Sequence, residues 1–349
     1  MCQDSTDQSA YTDLMTEEKF DDDLYKYLCD NHCHPHDAVD KLDEIAKLRT
    51  GHLTLMGVRE QDWDTVKKVV DQSSIDNEDG IEKCIPSFGV HPWYAHLVRG
   101  AARNQTEPDE QHYNRVLTSK DDSEKADLIQ HLPTPSSDWL RTLRANLEQY
   151  PHAIVGEIGF DRSARLLPAG AEHWHGVRPT EVRCTPEHQL EVVSSQFELA
   201  RDLNRSVSLH CVQAHGMVLD LLLRKANEWR KKDMKTPFRI CLHSYGGSPG
   251  ILPSLFDIKR PVKVYMSFSV AINGRLGNKL LQLIEKVPDD RLLIESDYNT
   301  PTGIDDAMVD ITKVVAKAKK WSIQQVVEIT RRNWLEFINI SAPDGEHRA

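Results

Sequence analysis

The sequence contains no CxxC pair, although it has seven cysteines: Cys2, Cys29, Cys33, Cys84, Cys184, Cys211 and Cys241. An odd number at wide spacing argues against a disulfide framework and against a zinc knuckle. No run approaches the ~18 consecutive apolar residues of a membrane-crossing helix. The opening stretch, MCQDSTDQSAYTDLMTEEKFDDD, lacks the basic and apolar segments of a secretory signal. These absences lead us to expect a protein of the cytoplasm or nucleus that does not span a membrane. Glycine motifs of the Walker or dinucleotide type are missing too. Positive charge is scarce: 43 Lys and Arg against 54 Asp and Glu leave a net charge of −11. That argues against broad adhesion to nucleic acid, which needs a basic footprint. It does not exclude an enzyme of phosphodiesters, because bound divalent ions reverse the local field.

What is present is ample core material, with 39% hydrophobic residues in 349. Residues 1–23 carry eight acids against Lys19 alone. They read as an acidic, disordered tail, with a docking arm for a basic protein partner as the functional alternative. From residue 24 short apolar runs alternate with helical patterns. Strands are expected at 25–30, 52–58, 84–90, 153–159, 206–212, 239–245, 262–269 and 291–297, most of them near-continuously apolar, as strands buried on both faces are. A helix is expected over 187–203, with Thr185 as N-cap and Pro186 at its start. Two more helices, 304–320 and 323–337, close the chain. This alternation predicts an α/β fold, a TIM-type (β/α)8 barrel in a single domain over 24–340, followed by a polar tail at 341–349. A doubly wound open sheet is the other arrangement considered. Two βα connections are long. Residues 97–137 read as a flexible polar insertion and a second possible protein-docking element. Residues 162–185 hold Arg162, Arg165, Arg178 and Arg183.

Six potential metal donors stand at or just beyond expected strand ends: His32 and His34 in DNHCH, Glu157 in VGEIGF, His210 in VSLHC, His243 in CLHSYGG and Asp297 in LLIESD. In a barrel of parallel strands those ends converge on one face, where chemistry is done. His32 and His34 lie two apart, so an extended backbone aims both imidazoles one way. An isolated carboxylate inside an apolar strand would neutralise, so Glu157 calls for a cationic partner and suits a bridge between two ions. Asp297 could ligate an ion and act as general base. Glu295, two residues earlier, is a supporting group, and His91 in FGVHPW is expected to contact substrate or support the ligands.

The segments DNHCH, FGVHPW, VGEIGFD, HQLEVVSSQFELARDLNRSVSLHC, HSYGGS, LLIESD and RRNWLEF, in that order, make the chain resemble the TatD-type metal-dependent hydrolases. The resemblance runs from about residue 25 to 337. It implies a divalent-metal-dependent hydrolase of phosphoester bonds, with DNA as substrate and water activated by metal. By that resemblance His32, His34, Glu157, His210, His243 and Asp297 hold two divalent ions, Glu157 and Asp297 being the catalytic carboxylates. The donor set admits Mg, Mn or Zn. Two departures stand out. Where the family follows the strand-five histidine with an arginine and an acid, this chain reads Cys211-Val212-Gln213-Ala214, and three residues separate Asp297 from Pro301. The arginines of 162–185 are the expected compensation for the lost phosphate clamp. The alternatives are a hydrolase of another ester or amide, and a metal-retaining barrel that serves mainly as a protein-interaction platform.

Overall fold

Eight strands form one parallel sheet in the order of the chain. They are β1 Cys29–Cys33, β2 His52–Met56, β3 Cys84–Phe88, β4 Ile154–Asp161, β5 Val207–Val212, β6 Phe238–Leu242, β7 Val262–Phe268 and β8 Leu292–Ile294. The computed structural model describes residues 12–73, 80–100, 107–169, 177–229, 236–258 and 261–340. Helices between successive strands cover the outside, as expected of a TIM barrel. The ring is closed beyond the ladder: the Asp297 N–H donates to the His32 carbonyl at 3.0 Å, and the His34 N–H to the Tyr298 carbonyl at 2.7 Å.

Strand alternation sorts the side chains into two layers. Leu53, Leu55, Val155, Leu209, Leu242, Val264 and Ile294 face the helices within the main core. Cys29, Ile85, Ile154, Cys241, Tyr265 and Leu293 fill the barrel interior against Trp334 and Phe337 of the last helix, Ile323–Phe337. Ser322 and Gln325 cap the start of that helix reciprocally. The helix expected at 187–203 runs Pro186–Asp202. Thr185 caps it by accepting the His188 N–H, and Pro186 occupies the first turn, where no N–H is needed.

Three expectations need correction. First, β1 starts later than 25, because Asp22–Tyr27 forms a 3-10 turn in which Tyr25 lies under the Arg49 guanidinium at 3.8 Å. Asn31 and His32, read from sequence as following the strand, are fully buried within it, as is Asp30. Second, the N-terminal tail is shorter than 1–23. Leu14 and Phe20 pack into the main core, and the Thr16 N–H bonds the Lys313 carbonyl at 3.3 Å. Residues 1–11 and 341–349 lie outside the described residues. Third, the 97–137 connection is built, not a bare loop. It contains the helices Asp109–Val116 and Asp122–Ile129. Its strand Leu117–Thr118 pairs antiparallel with Arg183–Cys184 of the other insertion. Tyr113, Val116, Leu117, Leu128, Ile129, Leu166 and Val182 form a small core between the two. Polar composition hid this because so few apolar residues suffice when two segments share them.

Candidate metal centre

Each donor is aimed by local backbone geometry. The β1–β2 register shifts between Asp30 and Cys33, and the β4–β5 register shifts between Val155 and Ile158. Such irregularities re-aim side chains. They leave Cys33, Val155 and Ile158 in the helix-facing core while His32 and Glu157 meet each other. Gly159 follows at φ +148°, and a Cβ there would stand 2.0 Å from the His210 carbonyl oxygen, so β4 and β5 can approach only with glycine. Asp297 lies beyond β8 at φ +56°, a conformation Asp tolerates better than most residues. Asp30, buried, accepts from the N–H groups of His32 at 3.1 Å and Ser296 at 3.0 Å, which ties both ends of the ring together. Burial pushes its carboxyl up to about 7.

The six expected donors converge. Glu157 Oε2 lies 3.5 Å from His32 Nε2 and 3.3 Å from His34 Nε2. Asp297 Oδ1 lies 3.8 and 3.7 Å from the same two nitrogens. Glu157 Oε1 faces the opposite half: 2.9 Å from His210 Nδ1, 2.8 Å from His243 Nε2 and 3.2 Å from His91 Nε2. His91, expected as a supporting or substrate group, therefore touches the central carboxylate directly. His32 and His243 stack ring on ring with centroids 3.8 Å apart. Burial alone would raise the Glu157 carboxyl. His91, His243, His32 and the His210 hydrogen bond outweigh that and hold it well below the usual carboxylate range. Burial likewise opposes the charge on His34, yet Glu157 pushes it up to about 9. For His91 burial wins and lowers it to about 4.

Divalent metal suits this donor set on the chemistry of the ring nitrogens. His34 Nδ1 donates to the Met56 carbonyl at 3.1 Å, so a neutral ring turns a bare Nε2 lone pair inward. His32 Nδ1 engages Ser208 Oγ at 2.8 Å, and the two Nε2 atoms face each other at 3.2 Å. Two imidazole lone pairs and two carboxylate oxygens turned on one point need a cation between them. Second partners that orient ligating histidines in this way are usual in metal sites. Overlapping groups capable of holding an ion are His32–His34–Asp297, His32–Glu157–His243, His91–Glu157–His210 and His243–Glu295–Asp297.

Several supporting residues escaped the sequence reading. Asp161 Oδ2 lies 3.3 Å from His210 Nε2 and accepts the Trp93 indole N–H at 2.9 Å. Its other oxygen accepts the N–H groups of Ser163 at 2.8 Å and Ala164 at 2.9 Å. The signal was available, since Glu157 and Asp161 are four apart and share one side of a strand. Glu295, as expected, supports the site: it accepts from Ser244 N–H at 2.7 Å, and Ser244 Oγ reaches Asp297 Oδ2 at 3.3 Å. The insertion arginines make contacts of their own. Arg165 pairs with Glu181 at 2.7 Å, Arg183 donates to the Arg162 carbonyl at 3.0 Å, and the Arg162 and Arg178 side chains are exposed.

A TIM-type barrel that gathers histidines and carboxylates at the C-terminal ends of its strands defines a class, the metal-dependent hydrolases. Within that class, residues 29–339 match the model of the TatD related DNase family, and the chain belongs to that family. It is 32% identical over 342 residues to the Cut9-interacting protein scn1 of Schizosaccharomyces pombe, covering 90% of this chain and 99% of that one. It is 30% identical to the uncharacterized deoxyribonuclease YMR262W of Saccharomyces cerevisiae, over 70% of this chain and 74% of the relative. The solved structure of the TatD homologue YJJV from Escherichia coli superposes with a TM-score of 0.58 at 17% identity, covering 91% of this chain and all of that one. The last likeness concerns the fold alone.

Proposed function

We propose that this metal-dependent hydrolase cleaves phosphodiester bonds of DNA, with two divalent ions held by His32, His34, Glu157, His210, His243 and Asp297. The observation that carries the reading is the split of Glu157: one oxygen turned to His32 and His34, the other to His210 and His243. One carboxylate shared by two imidazole pairs suits paired ions. When bound, divalent ions supply Lewis acidity toward phosphate oxygens and make water acidic enough to attack at neutral pH. Asp297, oriented by Ser244 and by its own N–H bond to His32, would be the group that accepts a proton from the attacking water. His91, buried, accepts the Trp93 N–H on Nδ1 at 3.2 Å and turns Nε2 to Glu157 at 3.2 Å, so it supports the shared carboxylate. Names of relatives support the substrate class: a deoxyribonuclease in yeast and a 3'-5' ssDNA/RNA exonuclease in Musicola paradisiaca, the latter 28% identical over 57% of this chain. We place the activity in the cytoplasm or nucleus. No helix among the described residues is long and apolar enough to cross a membrane, and the cysteines among them are free.

The test is metal analysis of the purified protein, then hydrolysis of single- and double-stranded DNA with Mg, Mn and Zn in turn. Cleavage that chelator abolishes is expected. No cleavage with any ion, or cleavage indifferent to chelator, would end the reading. A second reading, a protein-interaction platform, is favoured by the near full-length match to a Cut9-interacting protein and by the two interlocked insertions. Survival of cellular function in a folded His210→Ala, Asp297→Ala double variant would select it.

A further inference from the structure

Beyond the ions, an enzyme of phosphodiesters needs a group for the anionic oxygens that the metals leave bare. The loop after β5 offers no arginine, and Arg165 and Arg183 of 162–185 are engaged by Glu181 and by the Arg162 carbonyl. One guanidinium on the catalytic face has a buried donor unspent. Arg59 stands three residues beyond β2, with its Cζ 4.6 Å from the centroid of the Tyr94 ring. Its Nε is buried without a hydrogen-bond partner, and the carboxylates that feel its charge are Asp37 and Asp62. The nearby Asp62 is engaged otherwise, accepting the backbone N–H of Val58 at 3.0 Å and of Arg59 itself at 3.4 Å.

Backbone bonds tie this pair to the metal centre. The Val58 carbonyl accepts the His91 N–H at 2.9 Å, and the His91 carbonyl accepts the Tyr94 N–H at 2.9 Å. His91 in turn stands 3.2 Å from Glu157. On the other side lies Asp37, whose carboxyl burial raises while His34 and then Arg59 draw it down, so Arg59 and the His34 half of the centre share one neighbour. A partly buried guanidinium with a donor left unmet, beside a cluster of ligands, is a place for an anion from outside.

We propose that Arg59, braced on Tyr94, is the substrate-binding residue that takes a non-bridging phosphate oxygen next to the metal centre. Its planar fork suits bidentate contact with phosphate, and a ring beneath it limits the rotamers lost on binding. The proposal rests on the phosphoesterase reading, and the experiment separates the two.

Protein loaded with manganese is titrated calorimetrically with inorganic phosphate and assayed on a short single-stranded DNA, as wild type, Arg59→Ala, Arg59→Lys and, for comparison, Arg162→Ala with Arg178→Ala. Hydrogen bonds to charged groups are worth enough that Arg59→Ala should weaken phosphate binding and raise KM by about tenfold or more. Arg59→Lys should recover part of both, with metal content and melting temperature as in wild type. Phosphate affinity and KM within about twofold of wild type in Arg59→Ala would overturn the clamp, whether or not its melting temperature falls. So would an equal loss in the Arg162/Arg178 variant, which would mark a diffuse charge effect, or failure of the wild type to bind phosphate. Phosphate binding that depends on Arg59 in a wild type that cleaves no DNA would uphold the clamp and remove the nuclease.

Discussion

Two buried groups of histidines lie among the described residues, and they differ in character. One is the metal centre at the barrel mouth. The other joins the first insertion to the barrel: His96, His112 and His188, with the His112 and His188 rings 5.5 Å apart. In that second group the hydrogen bonds go to backbone carbonyls, and the carboxylates of Glu191 and Glu107 stand off at 3.7 and 3.9 Å from His188 and His112 Nδ1. His188 Nε2 donates to Ala95 at 2.9 Å and Val98 at 3.1 Å, and His112 Nε2 donates to the His96 carbonyl at 3.0 Å. Burial pushes His96 down to about 3 and His112 to about 4. At the mouth Glu157 and Asp297 stand among the rings, and His34 and His243 are raised. A buried carboxylate shared among several rings, not histidine number, separates a cation site from a neutral polar core.

The strongest test of that contrast is Glu157→Gln. It removes the charge that both imidazole pairs share, so metal content should fall sharply and hydrolysis by a factor of about a thousand or more, while circular dichroism stays native. His32→Ala with His34→Ala should do likewise. Full activity in either would undo the ligand assignment.

Next, His188→Ala should take the donor from two carbonyls and open a void, costing about 2 kcal/mol by denaturant unfolding. Metal content should not change. A loss of metal there would erase the distinction between the groups.

Acid and base should also divide them. His96 and His112 are depressed below the unfolded value, so the stability they contribute is present above about 6.5 and lost as pH falls toward 4. Protection of 107–136 against hydrogen exchange, after division by the intrinsic rate at each pH, should fall at pH 5 relative to pH 7. His34 is raised to about 9, so in metal-free protein its contribution is full below about 6.5 and lost as pH rises through 9. Metal must displace that proton. Apparent metal affinity should accordingly increase from pH 7 to pH 9, and a flat titration would contradict the assignment.

The smallest effect belongs to the half-exposed Arg165–Glu181 pair. Arg165→Ala should cost less than about 1 kcal/mol and leave KM unchanged. A large KM change would return the insertion arginines to the substrate path.

Much of this was legible along the chain. Eight apolar runs spaced by helical patterns pointed to the barrel, and polar residues interrupting such runs pointed to His32, Glu157, His210, His243 and Asp297. The helix at Pro186–Asp202 declared itself by Thr185 and Pro186. The beginning of β1 was misread because Tyr25 and Leu28 look more like strand residues than Asp30 and Asn31 do. Ser208 was missed because a lone hydroxyl in a strand carries no distinguishing local pattern, whereas Asp161 was marked only by its spacing of four from Glu157. The ordered insertions were missed because their core is assembled from segments more than 35 residues apart.

The order of strands, their apolar faces and the identity of the donors were set by the sequence, since burial demands apolar periodicity and a buried carboxylate demands a cation. Which donors share which oxygen of Glu157 was decided only in three dimensions. Register shifts in β1 and β4, and closure of the ring through Asp297, come from contacts between distant strands, and no local propensity encodes them.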